Sequence, residues 1–563
     1  MKKLLIGILG IVAFVSLAAC DEVIPGGQDR YGVLIDLDSI EVLNESDARR
    51  ELESFVNTIN PDVAELARGV DTNFHTEADI LPDIETDFPI VLEGTNQVTA
   101  EIFVSPEKAG TGMDGLFITL AESFNAQNLE INGQTVSVSI RDISSGVGLD
   151  YILAGVHIPD GFSPSNDVWA QLMSANNVNF NVVAGRTVGD VSGLVMRESI
   201  YDSMIANHGE ISIASLIDAI ENDGVLLGYA NPFVSSTGLD LLVHLMNHFD
   251  SNNPVSESAI SQLHDFQSNI PASFFNTLQM REAARSGSID VMSMAHHTFI
   301  NTPELSGFTF VPINGRQDSP MYTFSDNIEA QIVEMFTEYI LTNENQQIAT
   351  DHGFNAFDDH PHELDIEDRL VSAIQRTWRE NRDGDRPTVA VFISDVSGSM
   401  QANDAIGTLR NSLLNSMSYI NDTTYVGLVS YSTDVQIDLP IGLMDQDHRS
   451  YFIGAVQQYR PQGSTATFDA VMVGIDMLLE HMENDPNVRP ILFVLSDGET
   501  NRGVSLYRVA PIVQSIGIPI VTIGFNGDFP ELRQLSEINE SISIDAINDN
   551  LMYQLRSLFN VGM

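Results

Sequence analysis

Four near-continuous apolar runs in the last third of the chain limit its fold most tightly: TVAVFISD (388–395), YVGLVSYS (425–432), PILFVLSD (490–497) and IPIVTIGF (518–525). A strand with one wet face alternates apolar and polar residues, whereas an unbroken apolar run belongs to a strand covered on both faces. Helical stretches separate the four runs, so residues 386–563 are expected to form a doubly wound, Rossmann-like α/β sheet.

A second alternation comes earlier. AEIFVS (100–105), a helix from about 114 to 126, TVSVSIRD (135–142), a helix after Gly148, NFNVVAG (179–185) and VLLGYA (225–230) followed by a helix from 238 predict another α/β domain over 98–350, with a largely parallel sheet. At 563 residues the chain is too long for one core, so two such domains in series fit its length. Residues 351–385 are charged and read as a linker around one amphipathic helix (365–380). Asp21 to Thr95 carries 19 acids and 4 bases, so residues 21–97 read as an acidic tether and N-terminal extension with a short helix near 46–67.

Residues 1–20 read MKKLLIGILGIVAFVSLAAC, with two lysines, an apolar run and small residues before the cysteine, which is the pattern of a secretory signal. Leu17-Ala18-Ala19-Cys20 resembles the lipobox of bacterial lipoproteins. That resemblance implies that Cys20 is lipidated and that the rest of the chain faces outside the cytoplasm, held to the cell membrane by its lipid. Cys20 is also the only cysteine, so thiol catalysis, disulfides and thiolate metal sites are excluded. The formal charge of −52 repels phosphate backbones, which argues against nucleic acid as a partner.

The chemistry-bearing motif of the C-terminal domain is Asp395-Val396-Ser397-Gly398-Ser399, placed after an apolar strand and before a helix. That is the carboxyl edge of an open sheet, where ligands bind. One carboxylate and two closely spaced hydroxyls suit a hard cation with oxygen ligands, Mg²⁺ first and Mn²⁺ or Ca²⁺ as alternatives. The motif resembles the DxSxS of von Willebrand factor type A domains and their metal-ion-dependent adhesion site, over about 386–563. Carried over position by position, the resemblance implies Asp395, Ser397, Ser399, Thr465 and Asp497 as the metal set, with Thr467 competing for the place of Thr465 because Ser464 stands where a second glycine is common. It also implies a protein partner that presents an acidic side chain to the metal. An aspartyl phosphotransferase would need DxD, and a serine-hydrolase elbow would need glycine at Asp395, so no catalysis is expected here.

In the first domain, Ser144-Ser145-Gly146-Val147-Gly148 and Asn231-Pro232-Phe233-Val234-Ser235-Ser236-Thr237-Gly238 each follow a strand and open a helix. Hydroxyls and free backbone N–H groups at helix N-termini favour an anion or an oxygen-rich ligand. Together with VSGLVM (191–196), FTFVPINGRQDSPMYTF (308–324) and ENQQIATDHGFN (344–355), these loops resemble type II periplasmic solute-binding proteins over roughly 98–355, which implies a bilobal, solute-binding-like domain closing on a small solute. Candidate contacts are Ser105, Ser144, Ser145, Ser235, Ser236, Thr237 and Tyr322, with Arg141, Arg186 and Arg316 available to neutralise an anion. Zinc at His360 and His362 with Asp358, Asp359 and Glu363 fits no standard structural spacing.

The sequence therefore predicts an extracytoplasmic lipoprotein that binds without catalysis, joining a solute cleft to a metal-dependent adhesion-type domain. A receptor delivering solute to a transport system, or an extracytoplasmic hydrolase, are the alternatives.

Overall fold

The computed structural model describes residues 34–545 except 38–39, 41, 71–80, 111, 271, 275–279, 281–288, 362–365, 383, 385, 418–419, 499, 526–529 and 540–542. The signal segment, Cys20, His362 and Glu363 lie outside the described residues. Among those described, no helix is long and apolar enough to cross a membrane.

The first domain contains two sheets. In the first, the central strand Val98–Val104 runs parallel to Gln134–Asp142 on one side and to Gly161–Ser163 on the other. Ile90–Leu92, Met321–Thr323 and Asn181–Ala184 extend it with antiparallel pairings. In the second sheet, Val291–Ala295 lies between Leu227–Ala230, which is parallel to it, and Asp190–Arg197, which is antiparallel. Phe308–Gln317 then pairs antiparallel with Asp190–Arg197. Both sheets are thus mixed where a largely parallel sheet was expected. The cause is chain path: the backbone passes from the first sheet to the second at 185–189 and returns at 318–320, and the returning strand Met321–Thr323 enters against the direction of its neighbours. The two crossings are hydrogen-bonded, Thr187 N donating to the carbonyls of Asp318 (3.2 Å) and Ser319 (3.1 Å).

The second domain is a seven-stranded sheet ordered Asp62–Val63, Val435–Leu443, Tyr425–Tyr431, Thr388–Asp395, Arg489–Ser496, Ile520–Gly524 and Ser543–Asp545. Its pairings are parallel except that between Tyr425–Tyr431 and Val435–Leu443. Strand Thr388–Asp395 explains the unbroken apolar run. Ala390 and Phe392 face a cluster built with helix Ala405–Ser416, while Val389, Val391 and Ile393 face another built with helices Thr467–Asn484 and Leu506–Ile516.

Two stretches read as connectors are structural parts of the domains. Helix Glu45–Ile59, capped by Asn44, buries Leu52 against the C-terminal domain, and Leu43 N donates to Ser515 Oγ at 2.8 Å. Asp62–Val63 then forms the edge strand beside Val435–Leu443, followed by Gly69 N donating to Ser450 O at 2.8 Å. The described part of the expected tether up to residue 70 therefore belongs to the second domain. The first domain also begins earlier than residue 98, since Ile90–Leu92 pairs within its sheet.

The expected linker helix spans Asp368–Asn381 and packs against helices Val168–Ala175, Ser236–Phe249 and Glu257–Ser268. Its Val371, Ile374 and Trp378 are completely buried. Trp378 Nε1 donates to Tyr229 Oη at 2.7 Å, and Gln375 Nε2 donates to Pro232 O at 2.9 Å. Across the domain junction, Arg489 Nη2 donates to the carbonyls of Gln267 and Ile270, both at 3.1 Å.

Candidate functional sites

Three strands of the first domain each lead to a serine at a helix start. Ser105 is the N-cap of the short helix Pro106–Ala109, Ser144 that of Ser145–Ala154 and Ser235 that of Ser236–Phe249. Ser235 Oγ accepts from Gly238 N at 3.4 Å, whereas Ser144 makes no side-chain capping bond. The two longer loops meet: Ser236 Oγ donates to Ser145 Oγ at 3.3 Å and accepts from Trp169 Nε1 at 2.8 Å. Such close approach requires glycine at position 146, because a Cβ there would stand 2.1 Å from the Phe233 carbonyl oxygen.

A cavity of about 360 Å³ lies between these loops. Ser105, Ser144, Ser145, Ser235, Ser236 and Thr237 all line it. Tyr322 does not. It is buried in the core with its ring edge-on to Phe180, because its strand is sandwiched between Gly161–Ser163 and Asn181–Ala184. The three arginines also point to other work: Arg141 is buried on Glu101, Glu85 and two backbone carbonyls, Arg186 pairs with Asp358, and Arg316 holds Asp318 by two bonds of 2.7 and 2.9 Å.

Sequence reasoning missed Glu107, Asp114, Ser165 and Gln317, which also line the cavity. The clue was available in Ser105-Pro106-Glu107-Lys108, a serine cap followed by proline at the first helical position directly after a strand. Lys108, completely buried, donates to Ser105 Oγ (2.6 Å), Glu107 Oε1 (3.0 Å), Pro164 O (3.2 Å) and Ser319 Oγ (3.2 Å). Burial raises the Glu107 carboxyl, but the Lys108 ammonium and the Ser105 hydroxyl outweigh it and hold Glu107 below the ordinary carboxylate value. Nearby Asp142 is pushed up to about 6 by burial and by the charges of Glu107 and Asp114. Gln317 is buried with its Nε2 lacking a partner among the described residues.

In the second domain, the parallel pairing of Thr388–Asp395 with Arg489–Ser496 sets Asp395 and Asp497 at the same edge. Ser399 Oγ donates to Asp497 Oδ1 at 2.7 Å and shares a hydrogen bond of 2.9 Å with Ser397 Oγ. Ser397 N donates to Asp395 Oδ1 at 2.7 Å, and Ser496 Oγ donates to Asp395 Oδ2 at 2.6 Å. Asp395 is completely buried and pushed up to about 6, first by burial and further by the charge of Asp497, which burial also raises. Two buried carboxylates disfavouring each other's charge are an environment that a bound cation would relieve.

The glycine loop closes over this cluster through Gln462 N to Val396 O (2.8 Å) and Gly398 N to Gly463 O (3.2 Å). Gly463 has φ +75°, and a Cβ there would lie 2.5 Å from Thr433 Oγ1. Thr465, buried, follows in the loop and its N donates to Asn501 Oδ1 at 3.0 Å; Thr467 is the first residue of the next helix. The donors present, two carboxylates and three hydroxyls, fit a hard cation. A polar cavity of about 540 Å³ adjoins the cluster, with Val396 and Gln462 on one side and Asp62, Glu65 and Ala67 on the other.

This geometry defines a two-lobed α/β binding domain followed by a doubly wound domain with an oxygen-rich edge site. Residues 109–355 match the family model described as bacterial extracellular solute-binding protein, and residues 390–560 match the von Willebrand factor type A domain model. The chain carries one domain of each kind. Among solved structures it is similar to a von Willebrand factor type A protein from Catenulispora acidiphila, with 20% identity over 31% of this chain and 42% of that one, at a TM-score of 0.28. It is also similar to a periplasmic thiamin binding protein, with 9% identity over 50% of this chain and 96% of that one (TM-score 0.38). The sulfate-binding protein SubI from Mycobacterium tuberculosis H37Rv shows 16% identity over 49% and 91% of the two chains (TM-score 0.33). No curated protein matches the chain.

Proposed function

We propose that this protein is a lipid-anchored binding protein that captures a small solute in the cleft of its first domain and, through a divalent cation at Asp395, Ser397, Ser399, Thr465 and Asp497, holds a protein partner by an acidic side chain. The domain types support an extracytoplasmic role in binding, adhesion or transport. The observation that carries the finer reading is the bonded cluster of Asp395, Ser397, Ser399 and Asp497 at one sheet edge. The cation supplies a positive centre of short range, while the chain's residues orient it and leave the partner's carboxylate to complete its surroundings. We read both sites as binding sites without catalysis, a reading supported by the two domain types.

Calorimetric titration of the full chain with Mg²⁺ and Mn²⁺, in wild type and Asp395→Ala, tests the metal half. One site in wild type and none in the variant is the expected result; no heat in wild type, or equal heat in both, overturns it. Native mass spectrometry of the purified full chain tests the other half, and a preparation from its own cells that retains no solute sinks it.

A further inference from the structure

The hydroxyls and helix starts around the cleft would suit an oxyanion, yet its charged lining is acidic. Glu107 and Asp114 face the cavity, and among the described residues no arginine, lysine or histidine lines it. The Lys108 ammonium, which does not line the cavity, is bonded to Ser105, Glu107, Pro164 and Ser319 behind its wall. Glu107 is held ionised by that same lysine. Opposite charges are provided separately: the helices Ser145–Ala154 and Ser236–Phe249 begin at the cavity with their N–H groups, and Gln317 adds an amide donor without a partner among the described residues. The cavity therefore offers donors at the helix starts and a fixed negative charge at Glu107.

We infer that Glu107 is a specificity-determining residue that excludes fully ionised oxyanions from the cleft and selects a solute bearing a protonated nitrogen together with an oxygen-bearing group. The nitrogen sits against the Glu107 carboxylate, and the oxygens accept from the helix starts and from Gln317. A dianion in the same place would meet the carboxylate with no mobile cation to neutralise it. The inference rests on the solute-binding reading of the first domain but is separable from it.

The test is calorimetric titration of the full chain, at neutral pH, with sodium sulfate and sodium molybdate as probes. Wild type and Glu107→Asp, which keeps the charge, are expected to give no saturable heat. Glu107→Gln, which keeps the shape and the acceptor for Ser105 and Lys108, is expected to bind at least one of the two probes with saturable heat. Saturable binding of either probe by wild type overturns the inference, and so does the absence of any gain in Glu107→Gln once circular dichroism shows that variant folded. Native mass spectrometry separates the two readings: a retained oxyanion dianion removes only the role given to Glu107, whereas no retained solute removes the cleft's binding function.

Discussion

Gly146 lies so close to Phe233 that a single methyl group between them would come within 2.1 Å of the Phe233 carbonyl oxygen. The two loops that carry the cleft hydroxyls are thus set by backbone contact. Gly146→Ala must push them apart, and overpacking of this kind costs about 1–3 kcal/mol. Chemical denaturation should show that loss, and the retained solute should disappear. Gly307→Ala, where a Cβ meets nothing within 4 Å, should be neutral and serves as the control.

Asp395→Asn keeps an acceptor for Ser397 N, turns its amide NH2 toward Ser496 Oγ, which can accept from it, and removes a buried charge beside Asp497. In the presence of chelator at pH 8 the variant should unfold at a higher temperature than wild type. With excess Mg²⁺ the order should reverse, because a cation that binds only the folded state stabilises wild type alone. Scanning calorimetry in both conditions decides it, and a variant that ranks the same in both would exclude a metal at this edge.

Two groups at the lobe crossing give opposed pH dependences. Burial pushes Asp190 up to about 7, so the folded state binds its proton more tightly than the unfolded chain, and the stability it contributes below the ordinary carboxylate value is lost as pH rises to about 7. Burial pushes His297, whose backbone N–H bonds Asp190, down to about 4, so its contribution is lost as pH falls from 6.5 to about 4. Within that shared window the two slopes offset each other. Asp190→Asn should leave only the histidine slope, so the variant's stability should rise with pH by up to about 1.4 kcal/mol per unit relative to wild type. Urea denaturation at pH 4.5, 5.5 and 6.5 measures it.

Trp378→Ala removes a completely buried ring and its bond to Tyr229, at a cost of about 3–5 kcal/mol. Because the same helix holds Pro232 through Gln375, solute affinity should fall as well. Limited proteolysis should then cut within 368–388 in the variant and spare wild type.

Cys20→Ser should release the mature chain from membranes, while wild type partitions into detergent. Equal release of both would remove the lipid anchor from the proposal.

The strands named in advance could be read because their apolar runs are long, and the edge cluster because Asp395, Ser397 and Ser399 stand at alternate positions of one short loop, whereas Gly161–Ser163, Val291–Ala295 and Val435–Leu443 were not named. What escaped depended on distant partners. Lys108 can be buried beside Glu107 only because Pro164 and Ser319, far along the chain, complete the lysine's bonds. Asp62–Val63 is too short to show alternation and sits in acidic sequence, so nothing local marks it as a strand; its partner Val435–Leu443 supplies the order. Helix Asp368–Asn381 was visible as amphipathic, but the surface that covers its apolar side belongs to three helices a hundred or more residues away in sequence. Tyr322 was misplaced because a strand's two faces look alike until its neighbours are known.

The strap formed by residues 43–70 alters how the molecule would bear force. Among the described residues the chain enters the seven-stranded domain first, leaves it to build the whole cleft domain, and returns at Thr388. The cleft domain is in effect an insertion, spliced into its neighbour between an edge strand and a central one. A pull between an N-terminal attachment and a partner gripping the Asp395 edge would run through the strap and the seven-stranded sheet alone. The cleft would hang outside that line of tension, and the load would bypass both of its sheets.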